Sequence, residues 1–78
     1  MSEYQVDHYL DCKGLNCPLP VLKTKKTIDN MNSSEILKMV ATDPGSVNDI
    51  RAFTSRTGHE LLDEVVKDEE YIFYIRKA

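Results

Sequence analysis

The sequence predicts an α+β fold: a two-layer α/β sandwich of β-α-β-α-β-β order, with a four-stranded mixed sheet and two helices on one face. Three observations predict it. Four segments carry apolar residues in the alternating or densely apolar pattern of strands. Two segments carry them at helical spacing. Loops and turns separate all six, and right-handed crossovers place both helices on the same side of the sheet.

Val6 to Asp11 alternates, with Val6, His8 and Leu10 on one side and Asp7, Tyr9 and Asp11 on the other, as a half-buried strand does. "CKGLN" follows as a loop marked by Gly14. A helix is predicted from Pro18 to Met31, because proline suits the first helical position, where its missing N–H would have no partner. Val21, Thr24, Ile28 and Met31 form its apolar face; Lys23, Lys26 and Asn30 lie opposite. "EILKMVATD", Glu35 to Asp43, is apolar on both alternating faces and reads as a central strand. "DPGS" breaks it and opens a second helix, Ser46 to Thr57, with Val47, Ile50, Phe53 and Thr54 buried and Gly58 at its C-terminal end. Glu60 to Val66 and Tyr71 to Arg76 are two further strands, joined by "KDEE" as a hairpin. Such an open sheet has a bare second face, where apolar surface is exposed or used for docking.

A length of 78 residues predicts a single domain over 1–78. The net charge of −3 argues against direct nucleic-acid binding. No apolar run is long enough to span a membrane. The stretch "MSEYQVDHYLD" lacks the basic-then-apolar order of a secretory signal, and neither end carries a lipidation motif. Two cysteines do not make a disulfide scaffold, so the expected setting is the reducing cytoplasm.

The unusual stretch is "DCKGLNCPLPVLKTKK", Asp11 to Lys26. With Pro18 as first helical residue, Cys17 takes the N-cap position. There a helix dipole and free N–H groups favour the thiolate, the nucleophilic form of cysteine. Lys13 and Lys23 add positive charge. The activation is expected to be modest, because Pro20 offers no N–H and only Leu19 remains to cap the sulfur. Pro18 and Pro20 fix the backbone on either side of Leu19. That leucine falls on the polar face with Lys23 and Lys26. It is either a docking contact beside a reactive cysteine or a residue packed on the adjacent loop. The plain alternative for Cys17 is a buried small hydrophobe.

"DCKGLNCPLPVLKTKK" resembles the signature of the TusA/SirA-like sulfur carrier family, with Cys-Pro-x-Pro after Gly-Leu. "ATDPGSVNDIRAFTSRTGHELL" is similar to the family's second block, and the resemblance runs from about Leu10 to Arg76. It implies the same two-layer fold. It implies that Cys17 carries sulfur as a persulfide. From the residues themselves, Pro18, Leu19, Pro20, Lys23 and Lys26 are expected to support or dock that site. The resemblance implies a cysteine desulfurase or a rhodanese as donor and a DsrE-like or TusD-like protein as acceptor. The relay would serve tRNA thiolation, cofactor synthesis or sulfur metabolism. The protein would be a sulfurtransferase-type carrier rather than a stand-alone enzyme. No bound cofactor is needed, and a monomer is expected.

The remaining residues have plainer readings. Cys12 is expected as a partly buried small residue at a strand end; the alternative is a resolving thiol. His8 and His59, taken with the cysteines, match no common zinc spacing, so no metal is expected. Asp43 is expected to cap the second helix; were it near Cys17, it would oppose thiolate formation. Lys25 is expected at the core edge. Two rivals to a carrier stay open: a thiol-redox protein using Cys12 and Cys17, and a regulatory protein–protein interaction module in which the thiol is incidental.

Overall fold

A computed structural model describes residues 4–78; the first three residues of the N-terminal stretch read above lie outside them. The elements follow the predicted order: β1 His8–Cys12, α1 Leu19–Asp29, β2 Ile36–Ala41, α2 Ser46–Thr57, β3 Glu60–Lys67 and β4 Glu70–Arg76. One sheet holds all four strands in the order β1-β2-β4-β3. β1 and β2 are parallel, with Leu10 opposite Met39 and Cys12 opposite Ala41. β4 is antiparallel to both β2 and β3. The sheet is therefore mixed, and β3 runs parallel to β2 with β4 between them. Both crossovers step in the same direction across the sheet, so right-handed connections put α1 and α2 on one face.

The alternation of each strand decides what that face buries. Leu37, Met39 and Ala41 of β2 share a side with Phe73 and Ile75 of β4 and with Cys12 of β1. Ile28 and Met31 close the core from the first helical segment, Ile50 and Phe53 from α2. A fully buried residue such as Ile28 or Ile50 contributes about 1.5–3 kcal/mol relative to leaving it in water.

The second face is less bare than expected. Tyr4 lies over it, its ring 5.2 Å from that of Tyr74 and its hydroxyl donating to the Leu62 carbonyl. The Lys38 ammonium sits 5.9 Å from the Tyr74 ring centre, in cation–π range. Tyr74 and Val40 are buried on this face, while Tyr9 stays exposed.

α2 has the predicted bounds, because Asp-Pro-Gly opens it and Gly58, at φ 83°, ends it with an N–H bond to the Thr54 carbonyl. α1 begins later than predicted. Pro18, at φ −98° and ψ 13°, is its N-cap, and Pro20 falls inside the first turn. Met31 lies past the helix end yet packs in the core. Lys25 is exposed and pairs with Asp29 at 2.8 Å, one turn along, rather than lying along the core edge.

Candidate functional site

β1 and β2 are parallel neighbours, so the loops that leave their carboxyl ends lie side by side. Residues 13–18 make the first loop and 42–45 the second. Gly14, at φ 82°, supplies the left-handed turn out of β1, and its N–H donates to Thr42 Oγ1 at 2.9 Å. The Cys17 N–H donates to Asp43 Oδ2 at 2.6 Å. Asp43 also accepts the Gly45 N–H through Oδ1 (3.2 Å) and the Ser46 hydroxyl through its carbonyl (2.7 Å). It thus ties the loops together. The expectation that it caps α2 is not met: Gly45 holds the N-cap position, without a side-chain cap bond. Asp43 makes instead the local Asx turn typical of aspartate before a helix.

Cys17 stands exposed where these loops meet, and Cys12 is fully buried in the core. Cys17 is not the N-cap of α1. The Leu19 N–H, expected to face its sulfur, is spent on the Asn16 carbonyl at 2.9 Å. No side-chain cap bond forms at this helix. The thiol points to α2 and donates to Asp49 Oδ2 at 2.6 Å. That bond is the first cause of a thiol held above its ordinary range, followed by desolvation and by the negative charges of Asp49 and Asp43. The expected thiolate activation is thereby corrected. A carboxylate that accepts the proton stabilises the neutral thiol, and the Leu19 N–H is not available to favour the anion. The lysines do not reverse this. Lys13 reaches toward Glu70 at 4.0 Å, and the charge of Lys23 acts on Cys12, whose thiol burial pushes up.

The flanking residues separate into two groups. Pro18, Leu19, Lys23 and Lys26 are exposed, while Pro20 is buried under the helix start. Leu19 is 46% exposed and Leu22, which the sequence reading passed over, 55%. Positions 19, 22, 23 and 26 share one side of α1 by helical spacing. Two leucines and two lysines therefore form an outward patch next to Cys17. Leu22 carried a signal: it lies off the buried stripe of Thr24 and Ile28. Asp49 was also missed, because an acidic residue in the first turn of a helix has a local explanation in the helix dipole.

His8 and His59 have structural partners. His8 Nε2 lies 2.9 Å from Glu35 Oε1, and His59 Nδ1 accepts the Ala78 N–H at 3.1 Å. Among the described residues, no three His, Cys, Asp or Glu side chains gather as a metal site would require. Nor is any helix among them long and apolar enough to cross a membrane.

A thiol displayed between two βα loops, behind a Cys-Pro-Leu-Pro turn, is consistent with the resemblance read from the sequence. Residues 8–77 match the family model described as sulfurtransferase TusA. The chain belongs to the TusA family. It is 47% identical over 72 residues to the sulfur carrier protein TusA of Allochromatium vinosum, covering 92% of this chain and 95% of that one. It is 46% identical over 78 residues to a putative sulfur carrier protein of Halobacterium salinarum, covering 99% of this chain and 96% of that one. Among solved structures, a SirA-like protein of Desulfitobacterium hafniense superposes with a TM-score of 0.75 at 19% identity, covering 91% of this chain and 96% of that one. At that identity the likeness concerns the fold, and it agrees with the four-stranded, two-helix TusA-family architecture found here.

Proposed function

We propose that this protein is a sulfur carrier that holds sulfane sulfur as a persulfide on Cys17 and passes it to an acceptor protein. The observation that carries the reading is the contrast between the two cysteines: Cys17 is exposed at the junction of two loops, and Cys12 is 0% exposed. Membership of the TusA family supports it, as do relatives named sulfur carrier proteins.

In loading, the Cys17 sulfur attacks the outer sulfur of a donor persulfide. The donor's S–S bond breaks, a new one forms at Cys17, and the donor cysteine leaves with the proton. In delivery, an acceptor thiolate attacks the same outer sulfur and Cys17 is the leaving group. The sulfane sulfur changes owner and nothing is oxidised overall. The donor class is a cysteine desulfurase or a rhodanese, and the acceptor class a DsrE-like or TusD-like protein. Pro18 and Pro20 hold the turn that displays the sulfur. Leu19 and Leu22 offer apolar contact to the partner, and Lys23 and Lys26 steer acidic surfaces toward it. The burial of Cys12 weighs against a Cys12–Cys17 redox pair, which needs both thiols within reach of a reductant.

The test is intact mass, without reductant, after incubation with a cysteine desulfurase and cysteine. Wild type and Cys12→Ala should gain the mass of one sulfur atom, removed by reductant, and Cys17→Ser should gain none. Equal gain in Cys17→Ser, or no gain in wild type with desulfurase and rhodanese donors alike, would reject the proposal.

A further inference from the structure

We propose that Asp49 is a positioning residue that biases this protein toward giving its sulfur up, by holding the proton of the empty Cys17 thiol and repelling the loaded persulfide. The inference rests on the carrier reading above.

The geometry distinguishes the two states. In the empty state the Cys17 thiol donates to Asp49 Oδ2 at 2.6 Å, a charge-assisted bond to an ionised acceptor. In the loaded state Sγ carries the outer sulfur where it carried hydrogen, so this bond no longer exists. The outer sulfur of a persulfide is more acidic than a thiol, and at neutral pH it is an anion. It then stands beside two carboxylates: Asp49 from α2, and Asp43 from the preceding loop, whose Oδ2 is 2.6 Å from the Cys17 N–H. These two acids are the charged groups that act on the Cys17 thiol. Lys13, the basic residue of the same loop, reaches toward Glu70 instead.

Loading therefore exchanges an attraction for a repulsion at one atom. The reaction balances as Cys17–SH plus donor R–S–SH giving Cys17–S–SH plus R–SH, followed by loss of the outer proton to solvent. Every contribution from Asp49 falls on the side of the empty carrier. A buried apolar site would also raise a thiol, but it would hold the sulfur out of reach. A surface carboxylate disfavours both anions and leaves the sulfur accessible to the next protein.

The experiment equilibrates wild type, Asp49→Asn, Asp49→Ser and Asp49→Glu with a fixed mixture of glutathione persulfide and glutathione. The loaded fraction is read by intact mass across a pH series, and the pH midpoint of Cys17 alkylation is read on the empty proteins. Amide spectra check that each variant is folded. Asp49→Asn and Asp49→Ser should raise the loaded-to-empty ratio at neutral pH about tenfold and lower the alkylation midpoint by about one pH unit. Asp49→Glu keeps the charge and should return both toward wild type. If Asp49→Asn and Asp49→Ser load and alkylate as wild type does, the inference is overturned while the carrier reading stands. If wild type takes up no sulfur from this mixture or from a desulfurase, the carrier reading fails first, and the inference with it.

Discussion

Cys17 and Asp49, 32 residues apart in the chain, meet through a 2.6 Å thiol–carboxylate hydrogen bond. The contact joins the residue before α1's N-cap to the first turn of α2. It exists because β1 and β2 are parallel neighbours whose exit loops are tied through Asp43. It makes Cys17 an exposed but proton-bearing thiol, and most of the behaviour expected of this protein follows from that.

The pH dependence has a definite sign. Because Asp49 and Asp43 hold the folded Cys17 thiol above its unfolded value, the associated stability is fully present below the unfolded thiol pKa of about 8.5. It is lost as pH rises through the higher folded value. Wild type should therefore lose thermal stability relative to Cys17→Ser as the solution is made alkaline. Paired melting curves across the alkaline range check this, and a constant difference would contradict it.

Cys12 should behave as a core residue. It is fully buried opposite Ala41 and its thiol is pushed up by burial. Alkylation should reach it only after denaturation. Cys12→Ser should cost about 1–3 kcal/mol by placing a hydroxyl in the core without a prepared partner, measured by urea unfolding. Sulfur loading of Cys12→Ala should match wild type.

The patch on α1 should separate partner docking from chemistry. Leu22 is exposed and stands outside the hydrophobic core cluster. Leu22→Asp should raise the KM for loading from a protein donor about tenfold, equivalent to roughly 1.4 kcal/mol, and leave loading from glutathione persulfide unchanged. An equal fall with both donors would place Leu22 in the folding or the chemistry instead.

Ile28 anchors α1 beneath this patch and is fully buried. Ile28→Ala should cost about 2–5 kcal/mol in urea unfolding, as other large-to-small core changes do. In a chain of this size that is a large part of the total stability, so the variant should melt well below wild type.

The parts of the fold that were legible in the sequence are those with local punctuation. α2 was bounded by Asp-Pro-Gly on one side and Gly58 on the other, and the structure keeps both ends. α1 was misplaced at its start because Pro18 and Pro20 compete for the first turn; the backbone of Pro18 makes it the flanking residue and buries Pro20. The cover that Tyr4 gives to Tyr74 joins distant parts of the chain, and no periodicity reports such a contact. The same holds for the site. Cys17, its turn and the lysines were readable from spacing and resemblance. The Asp49 contact depends on two loops meeting across a parallel strand pair, and it reverses the electrostatics expected from the helix end alone.

The central claim is that sulfur rests on Cys17 in transit. The most direct measurement is a pulse–chase. Wild type and Cys17→Ser are loaded by a desulfurase with radiolabelled cysteine, separated from the donor, and mixed with a reduced DsrE-like acceptor. The account predicts label on wild type alone, in a reductant-sensitive form, leaving it as the acceptor gains the same amount. Label bound equally by Cys17→Ser, or label that wild type holds but never yields, would contradict it.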